Sequence, residues 1–278
     1  MPIFRIEEVV YGVTEMEAAT RFLADAGFAP IESDGAPRFR TAENQIVTLR
    51  SQDDPQLPPA IEEGPTLREL VWGVEEAADL DALADRLGTQ AQRDGDTLRT
   101  TDPNGLSLGF RVMDRTHAPT VHRQANQVDD RARINERLVP HGKVPVLRIV
   151  HCALNITKAA NDAALAFYTD LLRFKAVDKV LDTGTFLQSE GDVEHHNFFL
   201  CFRPDRAGIN HIAVELYDFD AVMEAGNRMI DAGWKESRRP GRHTLGSNVY
   251  RFVHSPCGGR LEFVADMDRM DKSWETRV

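Results

Sequence analysis

All nine histidines of this 278-residue chain lie after residue 116, at His117, His122, His141, His151, His195, His196, His211, His243 and His254. Scattered surface residues rarely distribute this way, so the chemistry is expected in the second half. Three polar residues there stand in matching local settings: His151 in RIVHCALNI, His211 in GINHIAVEL and Glu262 in GRLEFVAD. Each reads as a strand, in which successive side chains take opposite faces. Ala153 and Asn155 share the face of His151, with Cys152, Leu154 and Ile156 opposite. Ala213 and Glu215 share the face of His211, with Ile212, Val214 and Leu216 opposite, while Leu261 and Phe263 flank Glu262. The apolar sets are thus free to pack under helices while two imidazoles and a carboxylate turn into one cavity. Taken singly, each is an ordinary buried or surface polar residue. Together they match the facial triad by which non-haem Fe(II) holds an organic substrate beside dioxygen.

The elements that must position these residues form a unit that occurs four times. Each copy is an alternating strand, an amphipathic helix closed near a Gly or an aromatic residue, and further strands. The copies open at IEEVVYGV, LRELVWGV, LRIVHCALNI and GINHIAVEL. In the fourth helix Val222, Met223, Met229, Ile230 and Ala232 recur at near-helical spacing, and Gly233 suits a helix stop. One unit has a single apolar sheet face to bury, and two units together make a curved sheet with a cavity inside. The expected fold is α+β: four βαββ modules forming two domains, residues 1–113 and 146–278. Each domain is expected to be a curved mixed sheet enclosing a cavity, with its helices outside. Residues 114–145 read as a polar, Arg-rich linker with one short helix around Asp129 to Leu138. Aligned by eye, the first domain has Val10, Val71 and Gly109 where the second has His151, His211 and Glu262, so the first is expected to bind no metal.

Composition excludes several classes. Hydrophobic residues at 42% and charged residues at 28% are ordinary for a globular chain. With 33 basic against 44 acidic residues, the net charge of −11 disfavours wrapping a nucleic-acid backbone. No apolar run reaches the roughly 18 residues that span a bilayer, and MPIFRIEEVV lacks the features of a signal peptide. Cys152, Cys201 and Cys257 read as reduced thiols, which with the other signals suggests a cytoplasmic protein free of membrane or nucleic-acid partners.

The motifs HCALNI, EHHNFFL, GINHIAVEL, GRHTLGSNVYRF and SPCGGRLEF, in this order and spacing, resemble the vicinal-oxygen-chelate superfamily (glyoxalase, bleomycin resistance, dioxygenase). Within it they resemble the type I extradiol ring-cleaving dioxygenases, over nearly the whole chain. That resemblance implies an oxidoreductase of aromatic catabolism, acting on a catechol-like diol and dioxygen, and a homo-oligomer. It implies Fe(II) on His151, His211 and Glu262, with Mn(II) suiting the same donors. It also implies an acid/base histidine on an inner strand between the two metal histidines. Of His195 and His196, alternation selects His195, because His196, Phe198, Leu200 and Phe202 form the more apolar face; His196 is the structural alternative. A second family histidine, which contacts the substrate hydroxyl, corresponds to His243 in GRHT. The family's tyrosine ten residues before the metal glutamate is here Phe252, and Tyr250, on the same face, is the candidate replacement. Arg242 and Asn248 are read as substrate contacts or as solvated residues. His254 is read as a surface residue, and His117, His122 and His141 are assigned no role. Trp72 and Trp234 are expected to pack, and the tail MDRMDKSWETRV is read as a solvated terminus, or else a cover over the pocket mouth.

Two other functions compete. A non-redox isomerase or lyase resembling glyoxalase needs a fourth protein ligand, and His195 and Asn197 stand where a copy-three carboxylate would supply it. A metal-free resistance protein that sequesters a small molecule leaves the triad unexplained.

Overall fold

The computed structural model describes every residue except Met1, Asp34 and His122. The first module comprises β1 (Ile3–Val13), α1 (Met16–Ala26), β2 (Ala29–Ile31), β3 (Arg38–Arg40) and β4 (Ile46–Ser51). The second comprises β5 (Thr66–Val74), α2 (Ala77–Leu87), β6 (Gln92–Asp94), β7 (Thr97–Thr101) and β8 (Ser107–Val112). The third has β9 (Arg148–Thr157), α3 (Asn161–Ala166), β10 (Lys175–Val180), β11 (Gly184–Gln188) and β12 (Phe198–Arg203). The fourth has β13 (Gly208–Glu215), α4 (Phe219–Asp231), β14 (Glu236–Arg242), β15 (Val249–His254) and β16 (Arg260–Ala265). The expected α+β architecture is present, with three strands after each helix.

Modules pair into two eight-stranded mixed sheets, ordered β2-β3-β4-β1-β5-β8-β7-β6 and β10-β11-β12-β9-β13-β16-β15-β14. The two orders are the same permutation, as duplication of one unit requires. In each sheet the two opening strands pair antiparallel at the centre and each closing strand runs parallel beside its own opening strand. This arrangement carries His151 on β9, His211 on β13 and Glu262 on β16 to adjacent positions.

Helix α1 stops at Gly27, whose φ of 105° lies in the left-handed region. A Cβ there would stand 2.5 Å from the Val144 carbonyl, so glycine is needed for space as well as for conformation. α4 starts at Asp218, whose carboxylate accepts the Ala221 amide hydrogen.

One apolar core crosses both sheets. Trp72 of β5 is fully buried and meets Phe174 and Phe198 edge-on, at 5.0 and 6.0 Å between ring centres. Gln45 bridges the halves: its amide donates to the carbonyls of Ile6 and Ile149 and its oxygen accepts the Ile149 amide hydrogen. Trp234, half-buried, packs edge-on against Phe22.

The short helix expected around 129–138 does not form. Neither helix nor strand occurs between Val112 and Arg148 among the described residues. Val128 and Ile134 are 92% and 64% exposed, so a helix here would have no apolar face to dock. Asn126 instead accepts the Arg133 amide hydrogen, and the Arg133 guanidinium donates to the Gln124 carbonyl. No helix among the described residues is long and apolar enough to cross a membrane.

Candidate metal centre

His151, His211 and Glu262 are buried and converge. Glu262 Oε2 lies 3.0 Å from His151 Nε2 and 3.1 Å from His211 Nε2, and the two imidazole nitrogens are 3.1 Å apart. Three donors about 2.2 Å from a metal, on one face of an octahedron, stand about 3.1 Å from one another. The spacing therefore fits a facial ligand set.

Protonation is arranged to match. Burial pushes the His211 imidazole down to about 4, leaving it neutral, as a ligand must be. Its Nδ1 sits 2.8 Å from Asn210 Oδ1; that oxygen accepts the Nδ1 hydrogen, so Nε2 carries the free lone pair. Burial alone would raise the Glu262 carboxyl, but the imidazoles of His151, His211 and His243, within 3.1 Å of it, hold it well below the usual carboxylate range. His243 Nε2 lies 3.0 Å from Glu262 Oε1, the oxygen turned away from the other two histidines.

Above the triad lies a cavity of about 300 Å³ whose apolar wall includes Phe186, Phe199 and Phe252. Phe186 and Phe199 stack at 4.1 Å with planes 5° apart. His196 and His243 also line the cavity.

His195 does not. It is fully buried, with Nε2 2.8 Å from Asp178 Oδ2 and Nδ1 3.0 Å from His196 Nδ1. The histidine that faces the cavity is His196, its ring 4.4 Å from that of His151. Alternation failed here for an identifiable reason. The cavity-facing residues of β12 are Phe199, Cys201 and Arg203, the parity of His195, as expected. However, the strand starts only at Phe198, and 194–197 are irregular. There Asn197 is tied by its side-chain amide to Ser189 and Asp192, and the pair before it rotates relative to the strand.

Behind His195 runs the last stretch of the chain, exposed over most of 271–278 yet tied down through Trp274 and Arg277. Arg277 donates to both Asp178 oxygens, at 2.8 and 2.7 Å, and its backbone pairs with Val177 and Lys179. Trp274 meets the His195 ring edge-on at 5.6 Å. Hydrogen bonds from Arg277 and His195 overcome the effect of burial and hold the Asp178 carboxyl below its ordinary range. The ionised carboxylate accepts the His195 Nε2 hydrogen, so neutral His195 has a bare Nδ1. That nitrogen accepts the His196 Nδ1 hydrogen, which leaves His196 Nε2 unprotonated for the cavity. Nothing in the sequence pattern singled out Asp178 or Arg277.

Tyr250 and Phe252 share a face of β15, with rings 5.5 Å apart, but Phe252 lines the cavity and Tyr250 stands behind His243, 4.1 Å from its ring. Arg242 bonds Ser247 and Asp266, away from the cavity. Asn248 is buried beside His195 and also does not line it. His254 and His117 are exposed, His141 contacts Asp218, and His122 lies outside the described residues.

Strand register also corrects the match to the first sheet. His151 pairs with Ala213, which pairs with Glu262, as Glu8 pairs with Val71, which pairs with Gly109. His211 pairs with Arg260 as Glu69 pairs with Ser107. The counterparts of the two histidines are thus Glu8 and Glu69, one pleat repeat from Val10 and Val71, while Gly109 is as expected. Arg111 binds Glu8 at 2.7 Å and Arg99 binds Glu69 at 2.8 Å, so ion pairs occupy that place.

Residues 148–263 match the Glyoxalase/Bleomycin resistance protein/Dioxygenase superfamily. The chain is 32% identical over 105 residues to metapyrocatechase 2 of Cupriavidus necator, covering 38% of this chain and 32% of the relative. It is 31% identical over 123 residues to biphenyl-2,3-diol 1,2-dioxygenase of Paraburkholderia xenovorans, covering 41% and 40%. These matches span about a third to two-fifths of the relatives' own length. In fold it is similar to the Mn(II)-bound glyoxalase of Novosphingobium aromaticivorans, with a TM-score of 0.76, 22% identity and coverage of 99% and 86%. The 2,3-dioxygenase LapB of Pseudomonas sp. KL28 gives 0.75, 17%, and 99% and 96%. The segment that carries the triad, residues 148–263, is the part of the chain that matches the superfamily.

Proposed function

We propose that the protein is an extradiol ring-cleaving dioxygenase, inserting both atoms of dioxygen into a catechol-like diol at an Fe(II) centre held by His151, His211 and Glu262. The observation that carries this reading is the convergence of the three donors at 3.0–3.1 Å beneath an aromatic-walled cavity. The names of the relatives, metapyrocatechase and biphenyl-2,3-diol 1,2-dioxygenase, agree with it. When bound, ferrous iron supplies a Lewis acid for the vicinal hydroxyls and a redox path between diol and dioxygen.

The protein's own residues do the rest. His243 donates to Glu262 Oε1 and so fixes the carboxylate's orientation, leaving Oε2 as the donor. His243 also borders the cavity, within reach of a substrate hydroxyl. Phe186 and Phe199 form a flat wall for an aromatic ring and exclude water. His196 takes the role of general acid and base: Nε2 accepts a proton from the incoming diol and returns it as the ring opens. Asp178 and His195 hold His196 in the tautomer that makes it a base. Tyr250 supports the His243 ring.

Among the described residues only three metal-ligand side chains converge, and a non-redox isomerase would want a fourth. The test is turnover of catechol by iron-loaded protein under isotopically labelled dioxygen. A yellow ring-opened product carrying both labelled atoms is expected. Product with one labelled atom, or conversion without dioxygen uptake, contradicts the reading.

A further inference from the structure

The same cavity holds three guanidinium groups, those of Arg203, Arg238 and Arg260. Glu262 is the only carboxylate among the described residues that line it, and the triad and His243 already engage that group. None of the three arginines forms an ion pair among the described residues. Arg203 donates to its neighbouring carbonyl of Phe202, and Arg260 donates to Asn210 Oδ1. Two of them lie over aromatic faces: Arg238 over Tyr250 at 4.5 Å and Arg260 over Phe252 at 4.8 Å. They come from three strands that the fold brings together, β12, β14 and β16.

Such a cluster is unfavourable unless something neutralises it. The chain as a whole carries −11, so the positive cavity runs against its overall charge. The equivalent cavity of the first sheet sets Arg99 on Glu69 and Arg111 on Glu8. In the second sheet the carboxylate partners are missing, and a ligand is left to bring one.

We infer that the substrate is an anionic diol: an aromatic ring with two vicinal hydroxyls at the triad and a carboxylate-bearing substituent held by Arg203, Arg238 and Arg260. This rests on the ring-cleavage reading for the diol and on the arginines for the anion. The distances are suitable. Arg260 and Glu262 are on the same face of β16, two residues or about 7 Å apart along the strand. Arg238 pairs with Phe252, which pairs with Glu262, placing it two strands across, about 9.6 Å away. A single ring therefore bridges the hydroxyl end and the cationic end. Phe252, where the family has a tyrosine, lies between the two under Arg260.

The test compares 3,4-dihydroxybenzoate and its one- and two-methylene homologues with 4-methylcatechol and 4-ethylcatechol. Binding is measured by calorimetry on Fe(II)-loaded protein without dioxygen, and uptake is measured separately. A carboxylated diol is expected to bind about tenfold or more tighter than its neutral counterpart, as a charge-assisted pair provides. Its advantage should shrink as salt is added. In Arg203→Gln and Arg238→Gln the ratio of the two affinities should fall toward one, with partial recovery in the lysine variants. Equal affinities in the wild type, or a ratio untouched in both glutamine variants, overturn the inference. If neutral and anionic diols are cleaved alike, ring cleavage stands and the anionic substrate falls. If the anion binds preferentially and no diol is cleaved, the reverse holds.

Discussion

Acid should destabilise the metal-free protein through His211, by an amount the structure sets. Burial lowers this imidazole to about 4, against an ordinary value near 6.5. The sign follows from which state takes up the proton first. Between these values the unfolded chain binds a proton at His211 and the folded chain does not, so stability present above pH ~6.5 is lost as pH falls toward 4. At pH 5 the difference costs about 2 kcal/mol, rising to about 3 kcal/mol at pH 4. The perturbation to compare is His211→Asn, which removes the titrating group. Urea unfolding of chelator-treated wild type and variant at pH 7.5 and pH 5.0 isolates its share, because His195 and His196, also held neutral by burial, are common to both. The wild type should lose about 2 kcal/mol more than the variant over this interval. Equal losses would refute the claim that the ligand site is built around a desolvated neutral imidazole.

Other perturbations separate the roles of the polar residues. His196→Ala should retain bound iron and lose about 100-fold or more in kcat, as removal of a general acid/base does; retention of most turnover would return the role to another group. Asp178→Asn should lower kcat about tenfold while leaving KM and iron content near wild type, and shift the pH profile, because it frees the tautomer of His195. An unchanged profile would reduce Asp178 to an anchor for Arg277. Burial pushes the Cys257 thiol up to about 12 and raises Cys152 further. Iodoacetamide at pH 8 should therefore leave both unmodified in the native protein and label both in denaturant, by peptide mass mapping. Rapid native labelling of either would contradict the packing described.

The triad was legible because His151, His211 and Glu262 lie inside strands, and the register shifts between β9 and β13 fall on either side of the stretch that pairs 211–213 with 151–153. The repeat was legible because each module opens with the same strand and helix pair. What failed lay at irregular places. His195 and His196 precede β12, so the alternation that holds along the strand did not extend to them. The match of Val10 and Val71 to the histidines kept the right face but slipped by two residues, an error that alternation cannot detect. The polar pattern of the tail agrees with the exposure of most of 271–278 but gives no sign that Arg277 reaches a buried carboxylate on a strand distant in sequence. Arg203, Arg238 and Arg260 carried no signal either, since their significance lies in the partners they lack. Phe252 lines the cavity, whereas Tyr250, the candidate offered by alternation, stacks on His243 behind it.

The most direct test of the central claim is dioxygen uptake by protein reconstituted with Fe(II) without oxygen, offered the substituted diols, beside His211→Ala. The account expects one iron per chain and diol-dependent uptake in the wild type, with both lost in the variant. A wild type that binds no metal, or a variant that consumes dioxygen as fast, would contradict it.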